Sequence, residues 1–372
     1  AFLQGDAYFE GKTFDPRKVV FMRPPDEYFK CRKIKPDANL LWILRKSCYG
    51  LDDAPRRWYD KLRRRLLNEV NLVQSTIDPG LFLCVKPKLT RGEREEIRRK
   101  ELLAQLNSHQ FEPVNNADVL FRNLSTQIGD SVIGIIAIHV DDLLITGTEE
   151  FYNDRVKFIR ENFDIGTEDL SCFRYVGALI TQNEKRDEIT WDMSLYCEGI
   201  SEQSLPPGVK DSDSLDKEFH THFRNLLGKL TWLSIQSRPD ISFSVNRCAR
   251  KSAAPALEDL KELNRVARYV KQTPSFIRYV TQNTVRVVLY TDANSAPAVA
   301  NDVLERQCGV VVLLCSGESF GVVTGSLVTW ASRKCLRIVR STMAAETNAL
   351  LQGLDVADLT VALATEIYCR RF

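Results

Sequence analysis

The sequence predicts an α+β chain built as three successive blocks, residues 1–205, 206–282 and 283–372. Three observations predict it. Ile135 to Gly147 (IIAIHVDDLLITG) is a β-branched and aliphatic run broken only by Asp141 and Asp142, so it reads as strand, two-residue loop, strand. Past a linker at Ser204 to Asp216, rich in Pro, Gly and Asp, helical periodicity takes over from Phe219 to Thr273. Strand patterns then return at Arg286 to Tyr290, Gly309 to Leu314 and Ser319 to Trp330, ahead of a long helical pattern from Val339 to Tyr368.

Composition excludes several classes. A chain of 372 residues is ample for two or three domains with real cores. Ten cysteines lack any C-x-x-C spacing, and Cys84, Cys248, Cys308 and Cys315 sit inside apolar runs. That usage suits buried thiols in a reducing compartment better than a disulfide framework or a zinc site. His220 and His222 have no Cys or third His nearby and read as surface residues. No apolar run has membrane-spanning length, and the N-terminus lacks signal-peptide design. The net charge of +2 conceals a dense basic cluster on one predicted helix.

In order along the chain, Val19 to Met22 and Leu40 to Leu44 read as short strands. Pro55 fits the first turn of a helix whose buried stripe is Trp58, Leu62, Leu66 and Val70. Arg56, Arg57, Arg63 and Arg64 fall largely off that stripe. Such a basic face is usually just solvated, and a nucleic-acid strand along it needs a phosphate-processing site nearby. Leu81 to Val85 is the next strand, and residues 86–128 read as a charged, solvated insertion between two strands of one sheet. The hairpin follows, then an amphipathic helix from Glu149 to Phe163. Phe173 to Ile180 and Glu188 to Trp191 read as a strand pair. Asp240, in Arg238-Pro239-Asp240, is placed to cap the helix that follows. The final helix carries Met343, Glu346, Leu350 and Leu354 at helical spacing.

Two sets of carboxylates are candidates for chemistry. A buried Asp141–Asp142 pair needs compensation, and Mg²⁺, held by one or two carboxylates plus substrate phosphates, is the simplest source. A solvated Asp-rich turn accounts for the same residues equally well. Asp292 at a strand end and Glu346 in the following helix can likewise meet over a sheet edge, although an exposed turn Asp and a surface Glu are the commoner explanation.

Several motifs in order resemble the reverse transcriptase and ribonuclease H region of Ty1/copia-type retrotransposon Pol polyproteins. Ala1-Phe2-Leu3-Gln4-Gly5-Asp6 resembles AFLNGD, and Cys48 to Tyr59 (CYGLDDAPRRWY) resembles LYGLKQAPRAWY. His139-Val140-Asp141-Asp142 matches YVDD, and Arg238-Pro239-Asp240-Ile241 matches RPDI. Tyr290-Thr291-Asp292-Ala293 resembles YSDAD, and Ser341 to Glu346 (STMAAE) resembles STxEAE.

The resemblance implies a right-hand polymerase with fingers and palm in 1–205, a thumb- or connection-like helical block in 206–282, and a C-terminally truncated ribonuclease H-like α/β domain in 283–372. It implies RNA-directed DNA synthesis with two Mg²⁺ ions per active site, Mn²⁺ being an admissible substitute. Asp141 is then the stronger metal ligand and Asp142 the supporting one, while Asp292 and Glu346 bind metal for cutting the RNA of a hybrid. Phe2 matches a gate against the ribose 2′-hydroxyl, and Tyr49 and Gly50 match nucleotide contacts. The implied partners are an RNA template, a DNA primer, an RNA/DNA hybrid, deoxynucleoside triphosphates and the rest of the Pol polyprotein, with no membrane. The implied location is intracellular, in a cytoplasmic particle and/or the nucleus.

This sequence also departs from the pattern. His139 replaces Tyr, Asp52-Asp53 replaces Lys-Gln, Asn294 stands where Asp is frequent, and the 86–128 insertion is long. The family's third polymerase aspartate would precede Ala1, and its later ribonuclease H aspartates would follow Phe372. The 372 residues are therefore expected to be a fragment inactive alone. The alternative is a catalytically decayed relic or a nucleic-acid-binding derivative.

Overall fold

A computed structural model describes residues 21–37, 39–43, 52, 54–86, 131–281, 285–294, 306–316, 325–335 and 341–368. The chain divides into two compact units, residues 1–167 with 365–372, and residues 168–364.

In the first unit, β1 (Phe21–Met22) pairs antiparallel with β2 (Trp42–Ile43), and α1 (Asp26–Arg32) lies between them in sequence. Helix α2 (Ala54–Asn68) buries Ala54, Trp58, Leu62 and Leu66, the stripe its periodicity predicts. A four-stranded antiparallel sheet follows, in the order β3 (Val73–Gln74), β4 (Leu81–Lys86), β5 (Ser131–His139) and β6 (Asp142–Gly147). Leu81 to Cys84 are buried without alternation, as expected of an inner strand covered on both faces. β4 pairs directly with β5, Lys86 opposite Ser131, so the charged insertion opens and closes at adjacent points of one sheet. Most of that insertion, with the predicted residues Phe2, Tyr49 and Gly50, lies outside the described residues. Helix α3 runs from Glu149 to Asn162 with a π-helical turn at Tyr152–Val156. It buries Phe151, Val156 and Ile159 against Trp58, Phe82 and Ile136.

The second unit begins with β7 (Cys172–Tyr175), β8 (Ala178–Gln182) and β9 (Glu188–Asp192). The predicted strand over Phe173 to Ile180 is in fact two strands. Val176 and Gly177, with φ of 50° and 85°, turn the chain back between them, and glycine is the residue that takes such a φ without strain. A short helix, α4 (Ser194–Glu198), precedes the linker.

Helices α5 (Lys217–Gln236), α6 (Ser242–Arg250) and α7 (Leu257–Gln272) then pack around Phe223, Leu230, Leu233, Val245, Leu260 and Leu263. β10 (Phe276–Val280) pairs with β9, Ile277 opposite Trp191, so residues either side of the helices share one sheet. A three-stranded antiparallel sheet follows, made of β11 (Arg286–Ala293), β12 (Gln307–Cys315) and β13 (Gly325–Lys334), and then α8 (Thr342–Tyr368).

One local expectation is corrected. Asp240 does not cap α6, whose N-terminus has no side-chain cap. Its carboxylate instead takes three hydrogen bonds from Arg238, a charge-assisted pairing that outcompetes a single backbone N–H. The face α8 buries is Ala345, Ala349 and Ala357, while Met343, Leu350 and Leu354 are exposed. Small residues win because they let the helix backbone approach the sheet. A Cβ on Gly353 would lie 2.5 Å from Thr291 Cγ2.

Candidate functional site

The hairpin that carries Asp141 and Asp142 is held by contacts its sequence makes inevitable. Gly134 of β5 lies opposite Gly147 of β6, and the two leave a hollow on the sheet. Phe151 fills it. A Cβ on Gly134 would lie 2.2 Å from the Phe151 ring, and one on Gly147 would lie 2.5 Å from it. Phe151 reaches this seat because Thr148 caps α3, its side chain accepting from the Phe151 N–H at 3.3 Å. Tyr152 adds a hydrogen bond from its hydroxyl to the Ile145 carbonyl at 3.1 Å. On the far side, the Ile138 N–H donates to the Gly80 carbonyl at 2.8 Å.

The turn falls one residue earlier than the sequence suggests. His139 pairs with Asp142, so Val140 and Asp141 form the loop and Asp142 opens β6. Val140 has φ of 58°, a conformation that a β-branched side chain adopts only under strain. Its side chain is 52 % exposed, so trimming it sacrifices little burial. Val140→Gly is expected to stabilise the chain by about 1 kcal/mol, strain relief outweighing the added entropy of the unfolded glycine. A urea midpoint that stays put or falls would show that the turn carries no strain.

The two carboxylates are exposed, which decides for the solvated turn over the buried pair. The hairpin tip simply projects beyond the packed part of the sheet. Ile136, Ile138, Leu143 and Ile145 pack against the core that includes α2 and α3. By strand alternation Asp142 lies on the opposite face with His139, and Asp141 stands at the tip. Neither carboxylate has a hydrogen bond or ion pair among the described residues. Among those residues, no three His, Cys, Asp or Glu side chains group to enclose a metal ion. Two unpartnered carboxylates at one turn still fit Mg²⁺, which completes its shell with water and substrate phosphate.

The basic helix face divides. Arg56 and Arg64 are exposed, Arg56 lying 3.9 Å from Asp60. Arg63 is half-buried and donates to Gln74 at 2.7 Å, and Arg57 is also half-buried. Arg56 and Arg64 are the two best placed for a phosphate.

Asp292 and Glu346 occupy the same end of the second unit's three-stranded sheet without meeting. Thr291 and Leu289 face Gly353 of α8, and Ala293 packs on Ala345 and Ala349. Alternation then sends the exposed Asp292 side chain to the other face. Glu346 is half-buried, and its charge contributes to a raised thiol pKa at Cys308, pushed up to about 11 mainly by burial and by Cys335 beside it.

An open cleft of ≈ 360 Å³ that no sequence motif marks runs along α5, lined by Arg224, Gly228, Trp232, Ile235 and Ser252 among others. Trp232 and Ile235 are 39 % and 63 % exposed. Their spacing is as helical as that of the core, so periodicity alone does not reveal which side is covered.

Comparison with known proteins agrees with the resemblance. The chain is 24 % identical over 387 residues to the retrovirus-related Pol polyprotein from transposon RE1 of Arabidopsis thaliana, and 25 % identical over 379 residues to that from transposon RE2. These alignments cover 98 % and 99 % of the chain. The chain is a homologue of Ty1/copia-type retrotransposon Pol polyproteins. It spans 21 % of the length of each Arabidopsis relative. A putative transposon Ty5-1 protein of Saccharomyces cerevisiae is 26 % identical over 352 residues, covering 90 % of this chain and 93 % of its own length. No family model matches the chain. No helix among the described residues is long and apolar enough to cross a membrane.

Proposed function

We propose that this chain is the reverse transcriptase region of a copia-type Pol polyprotein, with part of a ribonuclease H region after it. The observation that carries the reading is the hairpin tip: two adjacent, exposed carboxylates, Asp141 in the turn and Asp142 on the sheet face away from the helical core, neither with a partner among the described residues. In this reading the first unit contains a polymerase palm, and the three strands and α8 belong to a ribonuclease H-like domain.

The reaction joins a primer 3′-oxygen to the α-phosphorus of a deoxynucleoside triphosphate and breaks the bond to pyrophosphate. Negative charge builds on the phosphoryl and leaving oxygens. Asp141 and Asp142 would hold Mg²⁺, which when bound stabilises that charge and favours the ionised 3′-hydroxyl. Exposure leaves both carboxylates open to a cation and to substrate phosphates. Arg56 and Arg64 would offset phosphate charge on the template or primer. The α5 cleft adds an aromatic surface and a cation, Trp232 and Arg224, of the kind that binds single strands and duplex edges. Asp292 and Glu346 are proposed to serve hybrid cleavage, which requires them to reach the metal from two faces of one strand end.

The test is primer extension by a Pol polyprotein containing this chain, on an RNA template with Mg²⁺. Asp141→Asn is expected to lower the extension rate roughly 10³-fold while leaving the fold intact, since loss of one electrostatic group at a reacting centre has effects of that order. Unchanged extension would sink the assignment. Retained binding of an RNA/DNA duplex without any extension by the unmutated protein would favour a nucleic-acid-binding derivative, for which the α5 cleft is the specific support.

A further inference from the structure

We propose that Glu366 is a positioning residue for the aspartate hairpin, acting through the loop of residues 75–80; its relevance to polymerisation rests on the function proposed above. Glu366 is 6 % exposed and groups with the first unit. Its carboxylate accepts from the Ser75 hydroxyl, from the Thr76 N–H at 2.8 Å and from the Thr76 hydroxyl at 3.1 Å. All three donors are neutral.

Among the described residues only neutral groups satisfy this buried carboxylate, a costly way to fill space where an apolar side chain would pack with less penalty. What it achieves is a fixed loop geometry. Ser75 Oγ accepts the N–H groups of Ile77 and Asp78 at 3.1 and 3.0 Å. The Asp78 carboxylate accepts from the Gly80 N–H at 2.8 Å. The Gly80 carbonyl then receives the Ile138 N–H at 2.8 Å, three residues before Asp141. The same loop is braced from α2, where the Tyr59 hydroxyl donates to the Pro79 carbonyl at 2.7 Å. A continuous set of hydrogen bonds thus runs from Glu366 to the strand that carries the turn. Removing the carboxylate leaves the buried Ser75 hydroxyl without its acceptor, and the loop must shift to satisfy it.

Hydrogen exchange on the whole chain tests this without metal or substrate. Glu366→Ala is expected to speed exchange at the Ile138 and Leu81 amides about tenfold or more, the equivalent of one orphaned buried donor. Val85, at the far end of β4, keeps its protection. Glu366→Gln retains an acceptor oxygen and restores most of the protection at Ile138. Where the Glu366→Ala chain does not fold, Ser75→Ala interrupts the same path and carries the same expectation.

Unchanged exchange at Ile138 in a folded variant would overturn the proposal. So would uniform loss of protection through β4, Val85 included, which is the mark of a purely structural role. Either result leaves the polymerase reading untouched, because Asp141→Asn in primer extension tests that reading alone.

Discussion

Gly134→Ala is expected to destabilise the first unit by about 3 kcal/mol or more, at the upper end for overpacking a core. The added Cβ would sit 2.2 Å from Phe151 Cγ and 2.4 Å from both Cδ atoms. Phe151 is fully buried and has nowhere to move. Urea denaturation gives the size of the loss. The double variant Gly134→Ala/Phe151→Ala is expected to be more stable than Gly134→Ala alone, because trimming the ring removes the collision. Gly147→Ala behaves differently. Its Cβ also meets the Ile133 carbonyl at 2.7 Å and the Gly134 Cα at 2.8 Å, so trimming Phe151 does not rescue it. A Gly134→Ala chain within 0.5 kcal/mol of the parent, roughly the range of ordinary surface changes, would show that the ring is not seated there.

Arg238→Ala is expected to destabilise the second unit by about 2 kcal/mol, the scale for losing charge-assisted hydrogen bonds when one partner, Asp240, is 38 % exposed. Arg238 is 1 % exposed. Its guanidinium donates to both Asp240 oxygens at 2.9 and 2.7 Å, to the Thr273 carbonyl at 2.9 Å and to the Thr273 hydroxyl at 3.0 Å. It lies 5.3 Å from the Tyr269 ring centroid. A cation is thereby fixed at the C-terminal end of α7, where the helix dipole favours it. Arg238→Lys should not restore stability, since an ammonium lacks the planar fork.

The pair has an acid limb. Burial alone would raise the Asp240 carboxyl, but hydrogen bonds and charge from Arg238 outweigh it and hold the carboxyl below its ordinary 3.8. Its stabilisation is complete above that unfolded value and fades as pH falls through the lower folded value. Thermal melts of wild type and Arg238→Ala should converge as the pH drops through that window. Melts that stay parallel would assign the loss to packing.

The sequence made the hairpin legible because two runs of β-formers flank one polar break, and period-2 alternation needs no tertiary information. Burial at its tip was not legible: the same apolar flanks precede a covered turn and a projecting one. α2 was read correctly because one stripe, Trp58, Leu62 and Leu66, is apolar and its neighbours are charged. The buried face of α8 was not legible in this way because the helix is apolar nearly all round. Which side is inward depends on how closely a backbone can approach the sheet, and Ala345, Ala349 and Gly353 decide that by lacking bulk. Asp240 has the form of a helix cap, but only the fold shows that Arg238 is closer to hand. Glu366 and Ser75 lie 291 positions apart in sequence. No local pattern announces a contact at that separation.

The β4–β5 pairing has a consequence for how this chain tolerates change in length. Lys86 and Ser131 are held side by side whatever lies between them. The entropy lost on closing a loop grows only logarithmically with its length, so doubling the insertion would cost about 0.6 kcal/mol. Residues can therefore accumulate or be deleted between these strands with almost no thermodynamic resistance from the sheet, while a single methyl group at Gly134, five residues from His139, is resisted strongly.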